Sequence, residues 1–138
     1  MSDQHIMECL QARLQTFAIN RGLNAAFEGN SFTPDATKTY LADFLLPAET
    51  GNPSIGRHHA RYQGIYQIDV DAPSGKTGAL RTLSNDVAAH FPRGLSLTHS
   101  SGLVVTITRT PSISRLMPDG GRMKRSVSVR YSCDAISN

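Results

Sequence analysis

Within the segment 64–71, residues 66–71 alternate between apolar and polar side chains, and this period of two limits the fold more than any other feature. In an extended chain, successive side chains point to opposite faces, so the pattern predicts a β-strand. The two faces carry Tyr66, Ile68 and Val70 on one side and Gln67, Asp69 and Asp71 on the other. One face is therefore expected to be covered, while the other is solvated or lies in an interface.

Two other segments repeat apolar residues every three or four positions, which is typical of amphipathic helices. The first predicts a helix over about residues 3–21 and carries Ile6, Leu10, Leu14 and Phe17. The second predicts a helix over about residues 76–90 and carries Leu80, Leu83, Val87 and Phe91. Gly22 follows the first segment, and Pro92 and Gly94 follow the second, so both helices have clear stop signals.

The remaining elements are predicted as strands and turns. A short strand is expected near residues 23–27, and a strand over 39–46 should place Tyr40, Ala42, Phe44 and Leu46 on one face. Residues 95–98 and 103–109 flank a turn and suggest a hairpin, and residues 126–131 form a closing strand. Residues 110–122 are rich in turn formers, and residues 47–63 have no period and predict a long loop.

This order of elements favours an α+β fold, with a mostly antiparallel sheet and two main helices packed on one face. The chain has 138 residues, which fits a single domain spanning 1–138 with a long loop at 47–63. Its apolar runs are too short to cross a bilayer, and its first residues do not resemble a secretion signal.

The net charge of +3 hides a difference between the two halves of the chain. Residues 1–75 carry five Lys and Arg against eight Asp and Glu, whereas residues 76–138 carry nine against three. Such a chain could bind nucleic acid through its basic half, or contact copies of itself through opposite charges. Composition does not choose between these alternatives.

No motif in the sequence favours catalysis or a cofactor. The cysteines Cys9 and Cys133 are expected as reduced thiols, although a bond between them stays open. The adjacent His58 and His59 point to opposite sides in an extended segment and chelate poorly, and the other histidines are isolated in sequence. We therefore expect no catalytic residues, no metal ligands and no cofactor.

A basic cluster near the end of the chain is the clearest candidate for an interaction site. It consists of Arg115, Arg122, Lys124 and Arg125. These side chains could contact nucleic-acid phosphates or an acidic protein face, or they could guard a solvated strand edge against aggregation. Aromatic residues are not interleaved with the bases, which weakens the expectation of single-strand binding.

Several segments, in their order, resemble the phage tail terminator family of long-tailed bacteriophages. A leading helix is followed by Phe32-Thr-Pro-Asp-Ala-Thr-Lys-Thr-Tyr-Leu41, Phe44-Leu-Leu-Pro47 and Tyr62-Gln-Gly-Ile-Tyr-Gln-Ile-Asp-Val70. Further along the chain come Ala72-Pro-Ser-Gly75, His90-Phe91-Pro-Arg-Gly94, Pro111-Ser-Ile-Ser114, Asp119-Gly120 and Ser126-Val-Ser-Val-Arg-Tyr131. Gly64-Ile-Tyr-Gln-Ile-Asp-Val70 is the most specific piece. The family pattern leads us to expect an aromatic and apolar approach to the last strand, where this chain has Gly121-Arg-Met-Lys-Arg125.

The resemblance implies a structural virion protein rather than an enzyme. Such proteins form a hexameric ring on the head-proximal end of the tail tube, where they end tube polymerisation and offer the surface for head joining. The implied partners are further copies of the chain, the tail tube protein and the head–tail connector protein, with DNA passing through the ring and no membrane. The implied location is the virion tail, and the host cytoplasm during assembly of a phage or prophage. A monomer in isolation is compatible with this role.

Two sets of residues are expected to mediate assembly. Arg57, His58, His59 and Arg61 would lie in an assembly loop, and the basic cluster Arg115, Arg122, Lys124 and Arg125 would lie at a subunit or tube interface. The alternatives are another neck, head-completion or minor tail protein, or a small basic nucleic-acid-binding module. An enzyme ranks third, since it would need a concave site with convergent polar groups.

Overall fold

A computed structural model describes residues 2–28, 37–48 and 59–136. It contains two helices, α1 (Ser2–Arg21) and α2 (Thr77–His90), which confirm the two predicted helices. Gly22 follows α1 with a positive φ of 65°, so it ends the helix in the left-handed conformation that its position predicted. In α1 the predicted apolar stripe is entirely buried, and in α2 Leu80, Val87 and the following Phe91 are buried.

The described residues form one eight-stranded, mostly antiparallel sheet, which confirms the α+β class. Its strands are β1 (Asn24–Ala26), β2 (Tyr40–Pro47), β3 (His59–Pro73), β4 (Ser96–Thr98), β5 (Val104–Ile107), β6 (Ser112–Ile113), β7 (Met117–Asp119) and β8 (Arg122–Ile136). The order across the sheet is β1-β2-β3-β8-β5-β4, and β6 and β7 also pair with β8. Only the β1–β2 pair is parallel among these described strands.

The centre of the sheet is the long pairing between β3 and β8. Their register is continuous from His59 opposite Ile136 to Pro73 opposite Arg122, so both strands are 15 residues long. Both strands are longer than alternation predicted, which was 64–71 for β3 and 126–131 for β8. Their ends lack a regular sequence pattern, but each end finds its backbone hydrogen-bond partners on the other strand. The partners β6 and β7 lie in the stretch predicted as turns. They are too short to show a period and depend on β8 for their structure.

Both helices pack on the same face of the sheet and enclose the core. Directly opposed residues of antiparallel strands share a face, which places Tyr66, Ile68 and Val70 beside Val127 and Val129. All five side chains are buried. They meet the buried stripes of α1 and α2, and the opposite face of the sheet carries no described helix.

In β2, the face with the regular apolar residues is not the face that points toward the helices. Tyr40, Ala42, Phe44 and Leu46 do share one face, as predicted, but it is the face away from the helices. Leu41 and Asp43 point inward instead, and both are buried.

Asp43 can occupy a core position because two donors satisfy its carboxylate. The backbone N–H of Glu28 donates to Oδ1 at 2.7 Å, and the Tyr66 hydroxyl donates to Oδ2 at 2.6 Å. Burial, together with the adjacent Asp43 carboxylate, raises the pKa of Tyr66, so the tyrosine remains a donor. Apolar residues lie on both faces of β2, so apolar burial alone does not decide which face points inward. The hydrogen bond between Tyr66 and Asp43 favours the orientation in which Asp43 points toward the core.

The prediction of a long loop over residues 47–63 is wrong at both ends. Pro47 is the last residue of β2, and residues 59–63 belong to β3. The last part of the predicted loop has no clear sequence period, but it pairs with residues 132–136 of β8. Residues 49–58 lie outside the described part of the chain.

The two cysteines are free thiols, which settles the alternative left open by the sequence. Both lie in the core, Cys9 on α1 and Cys133 on β8. Burial raises the pKa of the Cys133 thiol to about 11, and the neighbouring carboxylate of Asp134 adds to the shift. Burial also raises the pKa of Cys9. Both sulfurs are therefore protonated and poorly nucleophilic at neutral pH.

Gly64 occupies a position where a larger residue cannot fit. It lies opposite Tyr131 in the β3–β8 register. A Cβ on Gly64 would lie 2.6 Å from the Leu46 carbonyl oxygen and 2.7 Å from the Tyr131 hydroxyl oxygen. The first residue of the segment 64–70 is thus a glycine because an aromatic side chain from β8 crosses over it.

Candidate assembly surface

The helix-free face of the sheet is a large surface that no helix among the described residues covers. We define it by residues on the three strands β2, β3 and β8: Phe44, Leu46, Ile65, Gln67, Ser128 and Arg130. Their positions follow from strand alternation, since the adjacent residues Leu45, Tyr66 and Val129 point toward the helices. The face mixes apolar side chains with hydroxyl and amide groups.

Large apolar residues are exposed on this face. Phe44 is 38% exposed and Leu46 is 48% exposed, and Val104 on β5 adds another apolar side chain at 40%. Ile19 on α1 is the fourth exposed large apolar residue among the described residues. Three of the four therefore lie on the side of the sheet that no described helix covers, a distribution typical of an interface.

A cleft of about 580 Å³ opens beside Leu46 and Ile65. Its charged lining residues are Arg61, Arg109 and Arg130. Among the described residues, the charged side chains that line this cleft are all arginines. Arginine is well suited to interfaces because its planar guanidinium stacks on apolar groups and binds carboxylates with two hydrogen bonds. The cleft is therefore suited to contact with an acidic protein surface.

The structure separates the residues predicted for an assembly loop. Arg57 and His58 lie outside the described residues, and His59 is the first residue of β3. Arg61 also lies on β3, where its Nε donates to Asp134 Oδ1 at 2.9 Å. Both side chains of this pair are nearly half exposed, at 45% and 46%. Arg61 is thus on a strand at the edge of the arginine cleft rather than on a loop.

The predicted basic cluster is divided between the two faces of the sheet. Arg125 points toward α2, where its guanidinium donates to Ser84 Oγ at 2.9 Å and to the Ser114 carbonyl at 3.0 Å. Lys124 lies on the helix-free side, opposite Asp71 in the register. Arg115 is exposed in the connection between β6 and β7. Alternation along β8 accounts for this division.

Arg122 makes several contacts within the chain and is largely buried. Its Nε donates to Asp71 Oδ1 at 2.5 Å, and Nη2 donates to the Lys38 carbonyl at 2.6 Å. The guanidinium also lies 5.2 Å from the centre of the Tyr40 ring, within range of a cation–π contact. Arg122 therefore ties the start of β8 to β3 and to the start of β2.

The charge difference between the two halves of the chain does not divide these strands into an acidic and a basic side. The central strands β3 and β8 come one from each half and lie side by side. Arg–Asp pairs between described residues join the halves, among them Arg21–Asp86, Arg61–Asp134 and Arg122–Asp71. Charges are thus partly neutralised within the described subunit, and the uncovered apolar face becomes the more distinctive surface. Alternation in the sequence grouped Phe44 and Leu46 on one face of β2 but did not indicate that this face points away from the helices.

Comparison with known proteins identifies the family of the chain. The sequence profile described as phage tail terminator protein matches residues 5–131, which is nearly the whole chain. The chain belongs to the phage tail terminator family. This membership confirms the resemblance seen in the sequence, and it places the chain among structural tail-completion proteins of the phage virion.

Solved structures support the same fold. Six of their chains match this one, and one of these, which carries no functional name, superposes with a TM-score of 0.82. It is 25% identical in sequence, and the match covers 100% of this chain and 99% of that one. No protein of curated function matches the chain significantly. Among the described residues, neither helix is both long and apolar enough to cross a membrane.

Proposed function

We propose that this chain forms a ring of six copies that caps the head-proximal end of a phage tail tube, ends tube polymerisation and offers the surface for head joining. The observation that carries the proposal, beside family membership, is the helix-free face with its exposed Phe44 and Leu46. A closed ring repeats one heterologous contact around its axis, so each subunit needs surfaces that a neighbour or the tube can cover. The helix-free face and the arginine cleft beside it supply one such surface.

The proposed partners are further copies of the chain, the tail tube protein and the head–tail connector protein. Arg57, His58, His59 and Arg61 remain the proposed assembly segment, in which Arg61 contributes to the arginine cleft. Arg115 and Lys124 are the members of the basic cluster proposed to contact a neighbouring subunit or the tube. In this account the ring assembles in the host cytoplasm, becomes part of the virion tail and lets DNA pass through its centre, and its gene lies in a phage or prophage.

Two features weaken the alternative of a basic nucleic-acid-binding module. Arg122 and Arg125 make hydrogen bonds within the chain, and Arg122 faces the carboxylate of Asp71. An arginine engaged in this way releases few counterions on binding a phosphate backbone, which is the main source of nonspecific affinity. The helix-free apolar face is unnecessary for phosphate contacts but useful for contacts between proteins.

The proposal is tested by replacing the exposed apolar residues of the helix-free face. We expect wild-type protein to form a six-fold species as its concentration rises, measured by light scattering after size exclusion. The double variant Phe44→Asp and Leu46→Asp should remain at the mass of one subunit, because two charges would have to be buried in each contact. If the wild type is monomeric when alone, the same comparison is made with purified tail tubes present.

Ile19→Asp is the matched control, since Ile19 is 66% exposed but lies on α1, away from the helix-free face. This control should assemble like the wild type. Assembly of the double variant at the wild-type level would contradict the proposed surface. Loss of assembly in both variants would indicate that the substitutions destabilise the folded subunit. Urea unfolding of each variant measures that loss of stability separately.

A further inference from the structure

Three potential metal ligands meet where the start of α1 approaches the β4–β5 hairpin. They are His5, Glu8 and His99, and one ligand atom from each lies within 4.8 Å of the other two. His5 and Glu8 lie three residues apart on α1, so they share one face of the helix. His99 follows β4 in the hairpin turn. This group is separate from the helix-free face. His5 and His99 are 94 positions apart, and only the fold brings them together.

The hairpin holds His99 in place. The backbone N–H of His99 donates to the Leu103 carbonyl at 2.8 Å, and that of Gly102 donates to the His99 carbonyl at 2.9 Å. The backbone N–H of Ser101 donates to Nδ1 of the His99 ring at 3.0 Å. The imidazole is therefore fixed by its own turn, with Nε2 directed at Glu8 Oε1 at 3.3 Å.

His99 already contacts both of the other side chains, Glu8 through Nε2 and His5 through its ring. The rings of His5 and His99 stack with their centres 4.3 Å apart. Two imidazoles and a carboxylate are the donor set that zinc prefers, whereas magnesium and calcium prefer oxygen alone. Tetrahedral zinc with bonds of about 2.0–2.1 Å requires ligand atoms about 3.3 Å apart. Binding would require His5 and the exposed Glu8 to change rotamer, so that the ligand atoms move from within 4.8 Å of one another to about 3.3 Å and the stacked rings turn out of parallel.

We propose that His5, Glu8 and His99 bind a divalent transition metal of the zinc type, with water as the fourth ligand. His99 would bind the metal through Nε2 in the tautomer that carries its proton on Nδ1. In that tautomer Nδ1 no longer accepts the hydrogen bond from the Ser101 backbone N–H, and it donates instead to Ser101 Oγ, 2.8 Å away. Ser101 thus serves as the outer partner that metal-bound histidines usually have. The bound metal would link the first turns of α1 to the β4–β5 hairpin and so stabilise the subunit.

The test is titration of the full chain with zinc at pH 7.5, followed by calorimetry and by the thermal unfolding midpoint. We expect one zinc per subunit and a rise in the midpoint. Cobalt should give the visible absorption of a four-coordinate ion. His5→Gln and Glu8→Gln should each weaken zinc binding by at least about tenfold, the loss that follows even when an outer partner is removed. Glu8 is exposed and His5 is half-buried at the edge of α1, outside the buried core, so the fold should be retained.

The adjacent pair His58 and His59 is the obvious competing source of zinc binding. The double variant His58→Ala and His59→Ala is therefore the matched control, and it should bind zinc like the wild type. Unchanged zinc binding in His5→Gln and Glu8→Gln would overturn the site. Loss of binding in the control alone, or no binding by the wild type, would overturn it as well.

Discussion

Gly64→Val is expected to lower the free energy of unfolding by about 3 kcal/mol, the upper range for overpacking of a well-filled core. A Cβ at this position would meet the Leu46 carbonyl oxygen at 2.6 Å and the Tyr131 hydroxyl oxygen at 2.7 Å. The first of these atoms belongs to the backbone of β2, so it cannot move without disturbing the β2–β3 pairing. Urea unfolding followed by circular dichroism measures the change.

Gly78→Ala is the matched glycine control for this prediction. Gly78 lies in α2, and a Cβ there would meet nothing within 4 Å. Alanine favours the helix over glycine by roughly 0.5–1 kcal/mol, so this variant should be slightly more stable than the wild type. The steric account would be contradicted if Gly64→Val unfolded at the same urea concentration as the wild type.

Arg122→Met is expected to lower the free energy of unfolding by about 3 kcal/mol, because it leaves the Asp71 carboxylate buried without its cationic partner. The two side chains are 15% and 4% exposed, and their closest atoms are 2.5 Å apart. Methionine keeps much of the apolar stem of arginine, so the loss reports mainly on the charge and its hydrogen bonds. Chemical unfolding at neutral pH measures the difference.

Arg61→Met is the matched arginine control. Arg61 also uses Nε to contact an aspartate across the β3–β8 pair, but both partners are nearly half exposed. Exposed pairs of this kind contribute about 0–1 kcal/mol, so the control should lose little stability. Equal losses in the two variants would contradict the distinction between the buried and the exposed pair.

The helices and β3 could be predicted from the sequence because the apolar residues of each pattern are the ones that the fold buries. The stripe Ile6, Leu10, Leu14 and Phe17 is buried along its whole length, and Gly22 ends α1 as its position predicts. In β3, the alternation around Tyr66 marks one covered face. These are local signals, and each needs only its own segment to be interpreted.

The parts that could not be predicted depend on contacts between distant segments. The short β6 and β7 exist because β8 offers a pairing edge, and β2 turns Asp43 inward because Tyr66 and the backbone of Glu28 satisfy its carboxylate. The division of the basic cluster also depends on the fold. Arg122 and Arg125 are three apart and must face opposite ways on a strand, but alternation predicted that strand only from residue 126, whereas β8 begins at Arg122. His99 joins His5 and Glu8 only through the fold.

The most direct test of the central claim is to add the purified chain to growing tail tubes and measure tube length by electron microscopy. The account predicts that elongation stops, and that one end of each tube carries a ring of additional density. A neck or head-completion protein with a different binding site would leave elongation unaffected. Tubes that grow to the same length with and without the chain, and that carry no ring, would contradict the account.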